Sequence, residues 1–177
     1  YQLDEPTGNI SMEDVNLLKK DKNIKSIIPL AYGDNFKGYR ILGTDHSYLK
    51  KYNASLKNGK FFEKNYEVVL GHDVAKRSKL TVGETFLGNH GNNIDAESHV
   101  SHPYEIVGIL NKTESVLDFL ILSNVNTTWN IHHFDSKETA KKDPENKTQE
   151  LTALLLELKN PMALISLPRK INSETNM

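Results

Sequence analysis

Apolar positions near the start of the chain recur at helical spacing: Met12, Val15 and Leu18 follow Ser11-Met12-Glu13-Asp14. That segment is a capping box, in which the Ser11 hydroxyl accepts from the Asp14 amide and Asp14 reaches back to the Ser11 amide. Lys19, Lys20 and Lys22 then suit the negative end of the helix dipole. Residues 24–32 predict a strand, and Pro29, which has no N–H to donate, marks it as an edge or a bulge. Gly33-Asp34-Asn35 reads as a turn, residues 37–43 as the returning strand, and residues 45–52 as a short helix capped by Thr44 or Asp45.

The middle of the chain switches to short apolar runs. Val68, Val69 and Leu70 make residues 67–71 a buried strand, residues 73–79 a helix, and Leu80-Thr81-Val82-Gly83 a turn into a strand over 84–87. Residues 89–101 are polar, rich in Gly, Asn and His and without periodicity, which predicts an exposed loop. Further strands follow at 104–110 and 119–123, then a helix over 124–133 in which Trp129 is a packing aromatic. Residues 136–150 are charged, contain Pro144 and read as a surface excursion. Residues 151–159 are apolar without interruption enough to argue against an edge strand, and Asn160 or Pro161 opens a last helix to about residue 170.

This order predicts an α+β fold. A mixed βα lobe is built from the N- and C-terminal parts, about residues 1–55 and 134–177, and a β-rich lobe, about 56–133, is inserted between them. The last strand is expected to return to the sheet begun by residues 24–43. At 177 residues a single domain can bury roughly 70% of its unfolded surface without a metal or a disulfide.

Charge and composition narrow the classes. A net charge of -1 leaves no broad basic footprint, so nucleic acid is not an expected partner. The absence of cysteine excludes thiol catalysis and thiolate metal sites, and leans toward an oxidising compartment. No apolar run approaches the roughly 18 to 20 residues that span a bilayer. No signal peptide is visible, and the ends read as those of an excised segment.

Five stretches resemble one known family. They are Tyr39-Arg40-Ile41-Leu42-Gly43-Thr44-Asp45, Leu56-Lys57-Asn58-Gly59-Lys60-Phe61-Phe62, Val68-Val69-Leu70-Gly71-His72-Asp73-Val74-Ala75, Leu80-Thr81-Val82-Gly83-Glu84-Thr85-Phe86, and Tyr104-Glu105-Ile106-Val107-Gly108-Ile109-Leu110. In this order they resemble the MacB-type periplasmic core domain of ABC-transporter permeases of the macrolide-exporter, lipoprotein-release and FtsX-like class. The resemblance implies an extracytoplasmic, periplasmic domain at the bacterial cytoplasmic membrane, tethered through flanking helices. Its implied partners are a cognate ABC ATPase subunit, a second permease protomer, and an extracytoplasmic cargo or accessory protein. ATP is used by a separate nucleotide-binding domain, and the family offers no catalytic residue to carry over.

The residues themselves show no phosphate-binding loop: Gly88-Asn89-His90-Gly91-Asn92-Asn93 lacks the Lys-Ser/Thr end. No Ser lies in a Gly-x-Ser-x-Gly elbow. Histidine is the enriched reactive side chain. His90, His99 and His102 crowd one loop beside Asp95 and Glu97, and His132 and His133 follow Trp129. Imidazole with carboxylate suits zinc, so His90, His99, His102 and His132 are candidate ligands. Here too the chain resembles a His-bearing branch of the same permease class, through His90-Gly91, His102-Pro103-Tyr104 and Trp129-Asn130-Ile131-His132. The other reading is that these histidines are solvated loop groups, since ordering a loop before coordination costs entropy. The expected function is therefore a non-catalytic relay of conformational change that contacts cargo or a partner. The alternative is a zinc-binding or metal-handling module using residues 90–102.

Overall fold

The structure is a computed structural model, and it describes residues 10–89, 102–131 and 149–174. β1 (Ile10–Ser11) leads into α1 (Met12–Leu18). The Ser11 hydroxyl accepts from the Asp14 amide at 3.1 Å and donates to the Asp14 carboxylate at 2.8 Å. The reciprocal bond of the cap thus closes through the Ser11 hydroxyl. β2 (Ile24–Phe36) is longer than its apolar pattern indicates. Gly33 and Asp34 sit within it as a bulge, where the register with β3 (Tyr39–Thr44) shifts between Tyr32 and Asn35. The turn comes later, at Lys37 and Gly38, which have φ of 50° and 83°. Both central residues in the left-handed region match the twist of a two-residue hairpin.

α2 (His46–Lys51) is capped by Asp45, which accepts from the Ser47 amide at 2.8 Å. Thr44 instead donates its hydroxyl to the Pro29 carbonyl at 2.8 Å. β4 (Leu56–Gly59), β5 (Glu67–Leu70), α3 (His72–Ser78), β6 (Thr85–Phe86) and β7 (Tyr104–Leu110) follow. Residues 116–119 form a 3-10 turn (Val116–Phe119), so the next strand, β8 (Ile121–Asn124), starts later than its apolar run. α4 occupies residues 125–131 as far as the described chain runs. β9 (Glu150–Leu151), β10 (Ala153–Leu158) and α5 (Ala163–Glu174) complete the described chain.

The strands form one eight-stranded mixed sheet in the order β10-β2-β3-β8-β5-β7-β4, with β6 also on β7, and β1 pairs separately with β9. The C-terminal β10 returns antiparallel to β2, with Leu155 opposite Ile28. The fold is α+β as expected, with β10, β2 and β3 on one side of the sheet and the strands of residues 56–133 on the other. The two sets are joined by the parallel pair β3 and β8, with Leu42 opposite Leu122. β10 is nevertheless the outermost strand of that order, contrary to the expectation from its unbroken apolar run. Its apolar residues serve both faces: Leu154, Leu156 and Leu158 pack with Leu18, Ile24 and Leu167, while Leu155 packs on the central core. Pro29 is accommodated because β10 pairs with β2 up to Leu30, and β3 only from Ala31 onward.

Successive residues of the central strands enter opposite cores. Leu42, Val69 and Leu122 join Tyr48, Leu49 and Phe62 under α2. Ile41, Val68, Leu70 and Ile121 join Val74 of α3, Phe86 and Tyr104 on the other face. Both faces being covered explains the continuous Val68-Val69-Leu70 run. In β7 a bulge at Val107, where the partner of β5 jumps from Ile106 to Gly108, lets Ile106 and Ile109 share one core.

Candidate functional site

Three of the five sequence blocks pair with the strand formed by the last of them, β7. β5 pairs along one side of it, while β4 and β6 share the other. The block ending in Asp45 is β3, which reaches β5 through β8. These blocks are sheet architecture, and their glycines are close approaches. A β-carbon on Gly59, which has φ +78°, would run into the Val107 carbonyl, and one on Gly71 into the Leu117 carbonyl.

Buried acids are engaged by neighbouring donors. The Glu67 carboxylate accepts from the Glu63 amide at 2.7 Å, the Lys64 amide at 3.0 Å and the Lys60 ammonium at 2.9 Å. Burial by itself would raise its pKa, but these donors outweigh it and hold the group down at about 2. Asp118 is likewise buried, yet the Thr113 amide and hydroxyl and the Glu114 amide keep it below the usual carboxylate range. Both carboxylates brace a turn. At the β2 bulge, the Tyr104 hydroxyl donates to Asp34 at 3.2 Å, and burial followed by the Asp34 charge pushes the phenol far up. The spacing of residues in sequence did not mark this pair, since Asp34 lay in a segment read as a turn.

The first and last described elements meet at one end of the sheet. Ile10 pairs with Leu151, and Leu18 of α1 and Leu167 of α5 share a cluster with Ile24. Lys170 reaches Asp21 at 2.7 Å. Trp129 packs with Val15, Ala31 and Leu151, and its indole N–H donates to the Glu150 carbonyl at 2.7 Å. It is a packing aromatic, as its pattern indicated.

Of the candidate zinc ligands, His90, His99 and His132 lie outside the described residues. So do Asp95, Glu97 and His133. His102 is described: its exposed ring stacks on Tyr66, with centroids 4.8 Å apart and planes 13° apart. Among the described residues no three His, Cys, Asp or Glu side chains gather as a metal cluster. Among them, also, no helix is long and apolar enough to cross a membrane.

The family described as the MacB-like periplasmic core domain matches residues 2–164, and the chain belongs to that family. The fold is similar to the periplasmic region of MacB from Actinobacillus actinomycetemcomitans, with a TM-score of 0.61, 18% identity, and coverage of 93% of this chain and 74% of that one. It is also similar to the extracellular domain of the ABC-type transporter YknZ from Gram-positive bacteria, with a TM-score of 0.58, 12% identity, and coverage of 93% and 83%. A permease-protein domain from Porphyromonas gingivalis matches with a TM-score of 0.51 and 10% identity over 99% of this chain and 73% of its own. No curated protein matches. The chain is therefore a periplasmic domain of a MacB-like ABC-transporter permease, on the extracytoplasmic side of the membrane, and an ATPase partner belongs to the full transporter.

Proposed function

We propose that this domain is a non-catalytic relay, moved as one body by nucleotide turnover elsewhere in the transporter and contacting cargo or an accessory protein outside the membrane. The observation that carries this reading is the packing of the first and last described elements into one end of a single sheet. α1, α5 and β2 share the Leu18, Ile24 and Leu167 cluster, and β10 hands that cluster on to β2 through a ladder of hydrogen bonds. Force applied at that end reaches β4, at the far edge of the sheet, through strand pairs alone. A well-packed core transmits such strain because it is nearly incompressible.

Buried carboxylates that are fully engaged in bracing turns support a mechanical role, because an acid held at about 2 is unavailable as a proton donor near neutrality. The test is made in the full transporter. A flexible Gly-Ser insertion after Asn160, between β10 and α5, is expected to leave ATP hydrolysis and to reduce transport. Unimpaired transport would contradict the relay.

The alternative, zinc capture by residues 90–102, draws on His90, His99, His102 and His132. Its one described member, His102, stacks on Tyr66.

A further inference from the structure

A half-open cleft of about 1030 Å³ lies beside the β2–β3 hairpin. Its apolar surface comes from Phe36, Leu80, Phe86 and Leu87. The Phe36 and Phe86 rings touch at 4.4 Å, and Phe86 is stacked in turn on the buried Tyr104 at 5.3 Å. That floor is fixed from below, where Tyr104 is anchored to Asp34. One wall is fixed as well: the Asn35 and Asn89 backbones exchange hydrogen bonds at 2.9 and 2.8 Å.

Two cations stand on the rim. Lys37 occupies the tight turn of the hairpin, with its ammonium 5.1 Å from the Phe36 ring centre, and Arg40 lies 5.0 Å from the Tyr32 ring centre. Both are exposed, and neither is ion-paired among the described residues. No carboxylate is among the described residues that line the cleft. An apolar floor with the Lys37 ammonium over its Phe36 ring, and no carboxylate in its described lining, suits one chemistry: an apolar body ending in a negative charge. The volume is in the range of small-molecule sites, and a charged hydrogen-bond donor at the rim fixes the orientation of such a ligand.

We propose that this cleft binds a small anionic amphiphile, with its apolar chain against Phe36 and Phe86 and its anionic group at Lys37. A neighbouring cavity of about 480 Å³ provides the contrast. It is lined by His72, Lys57, Lys76 and Lys79 and shares Leu80 with the cleft, but contains no aromatic floor among its described lining. The inference goes beyond the relay and does not depend on it, because binding is read on this chain alone.

Isothermal titration with dodecanoate, below the concentration at which it forms micelles, tests the site. Saturable one-to-one binding is expected. Dodecyl maltoside, which has the alkyl chain without the charge, and acetate, which has the charge without the chain, should each bind at least about tenfold more weakly. Lys37→Glu should weaken dodecanoate by about tenfold or more. Thr85→Trp, at an exposed lining position, should abolish binding by filling the cleft. Lys76→Glu with Lys79→Glu should leave it unchanged. Circular dichroism checks that each variant is folded. The site is overturned if dodecanoate does not bind, if dodecyl maltoside or acetate binds as well, or if folded Lys37 or Thr85 variants bind like the parent. Loss of binding in the Lys76/Lys79 variant would equally overturn the assignment of the anionic group.

Discussion

The Tyr104 hydroxyl donates to the Asp34 carboxylate at 3.2 Å, joining two strands, β7 and β2, that are not neighbours in the sheet. The bulge in β2 makes this possible, and the Asn35–Asn89 bridge beside it closes the same gap. Tyr104→Phe removes one donor from a buried carboxylate. It should cost about 1–2 kcal/mol in urea unfolding, with little change in the m-value. No loss would show that the pair is not a brace.

Glu67 sets an acid limit. Its folded pKa, about 2, lies below the ordinary value of 4.5, so its stabilisation is present above the ordinary value and is lost as pH falls through the folded one. Between about pH 4.5 and 2, the parent should lose stability that Glu67→Gln has already forfeited. At neutral pH that variant should be weaker by about 2 kcal/mol, because three donors lose a charged acceptor. Denaturant midpoints across this pH range measure both, and parallel curves would refute the assignment.

Gly59→Ala meets both obstacles to a side chain: φ of +78° and the Val107 carbonyl in the space that a β-carbon requires. A loss of about 2 kcal/mol or more is expected, larger than for an ordinary surface change. A thermal melt of the variant tests it, and an unchanged midpoint would mean that β4 can shift away from β7 without cost.

α5 is held by apolar contact more than by charge. Leu167→Ala should cost about 2–4 kcal/mol, because Leu167 is 5% exposed between Leu18 and Ile24. Lys170→Ala should cost less than about 1 kcal/mol, since the Lys170–Asp21 pair is partly solvated. Paired urea titrations would reveal the opposite order if the ion pair were dominant.

Zinc separates the two readings of the histidines. On the relay reading, added zinc leaves the melting temperature where it was. A rise that His90→Ala with His102→Ala removes would establish the metal-handling alternative, since a ligand bound only by the folded state stabilises it.

Local signals were legible in the sequence because their causes are local. The Ser11 and Asp45 caps are contacts within three residues, and Val68-Val69-Leu70 declares burial on both faces. Gly33-Asp34 reads as a turn in the sequence but is a bulge in β2, because the same residue types serve both and only the hairpin register distinguishes them. The outermost position of β10 was hidden for a different reason: its apolar run reflects helices and core above and below it, and says nothing of how many strands flank it. The five blocks announced the family because each is a strand or turn of one sheet, four of them at or beside β7, whereas the cleft joins residues 35–40, 80–89 and 103, whose proximity no spacing encodes.

Rigid movement is measured most directly by spin-label distances in the full transporter with its ATPase. One label pair is placed at Lys57 on β4 and Arg169 on α5, and a second spans this domain and the membrane. ATP should shift the second distance and leave the first unchanged in position and width. A nucleotide-dependent change between Lys57 and Arg169, or no change in the second pair, would contradict a domain that moves as one body.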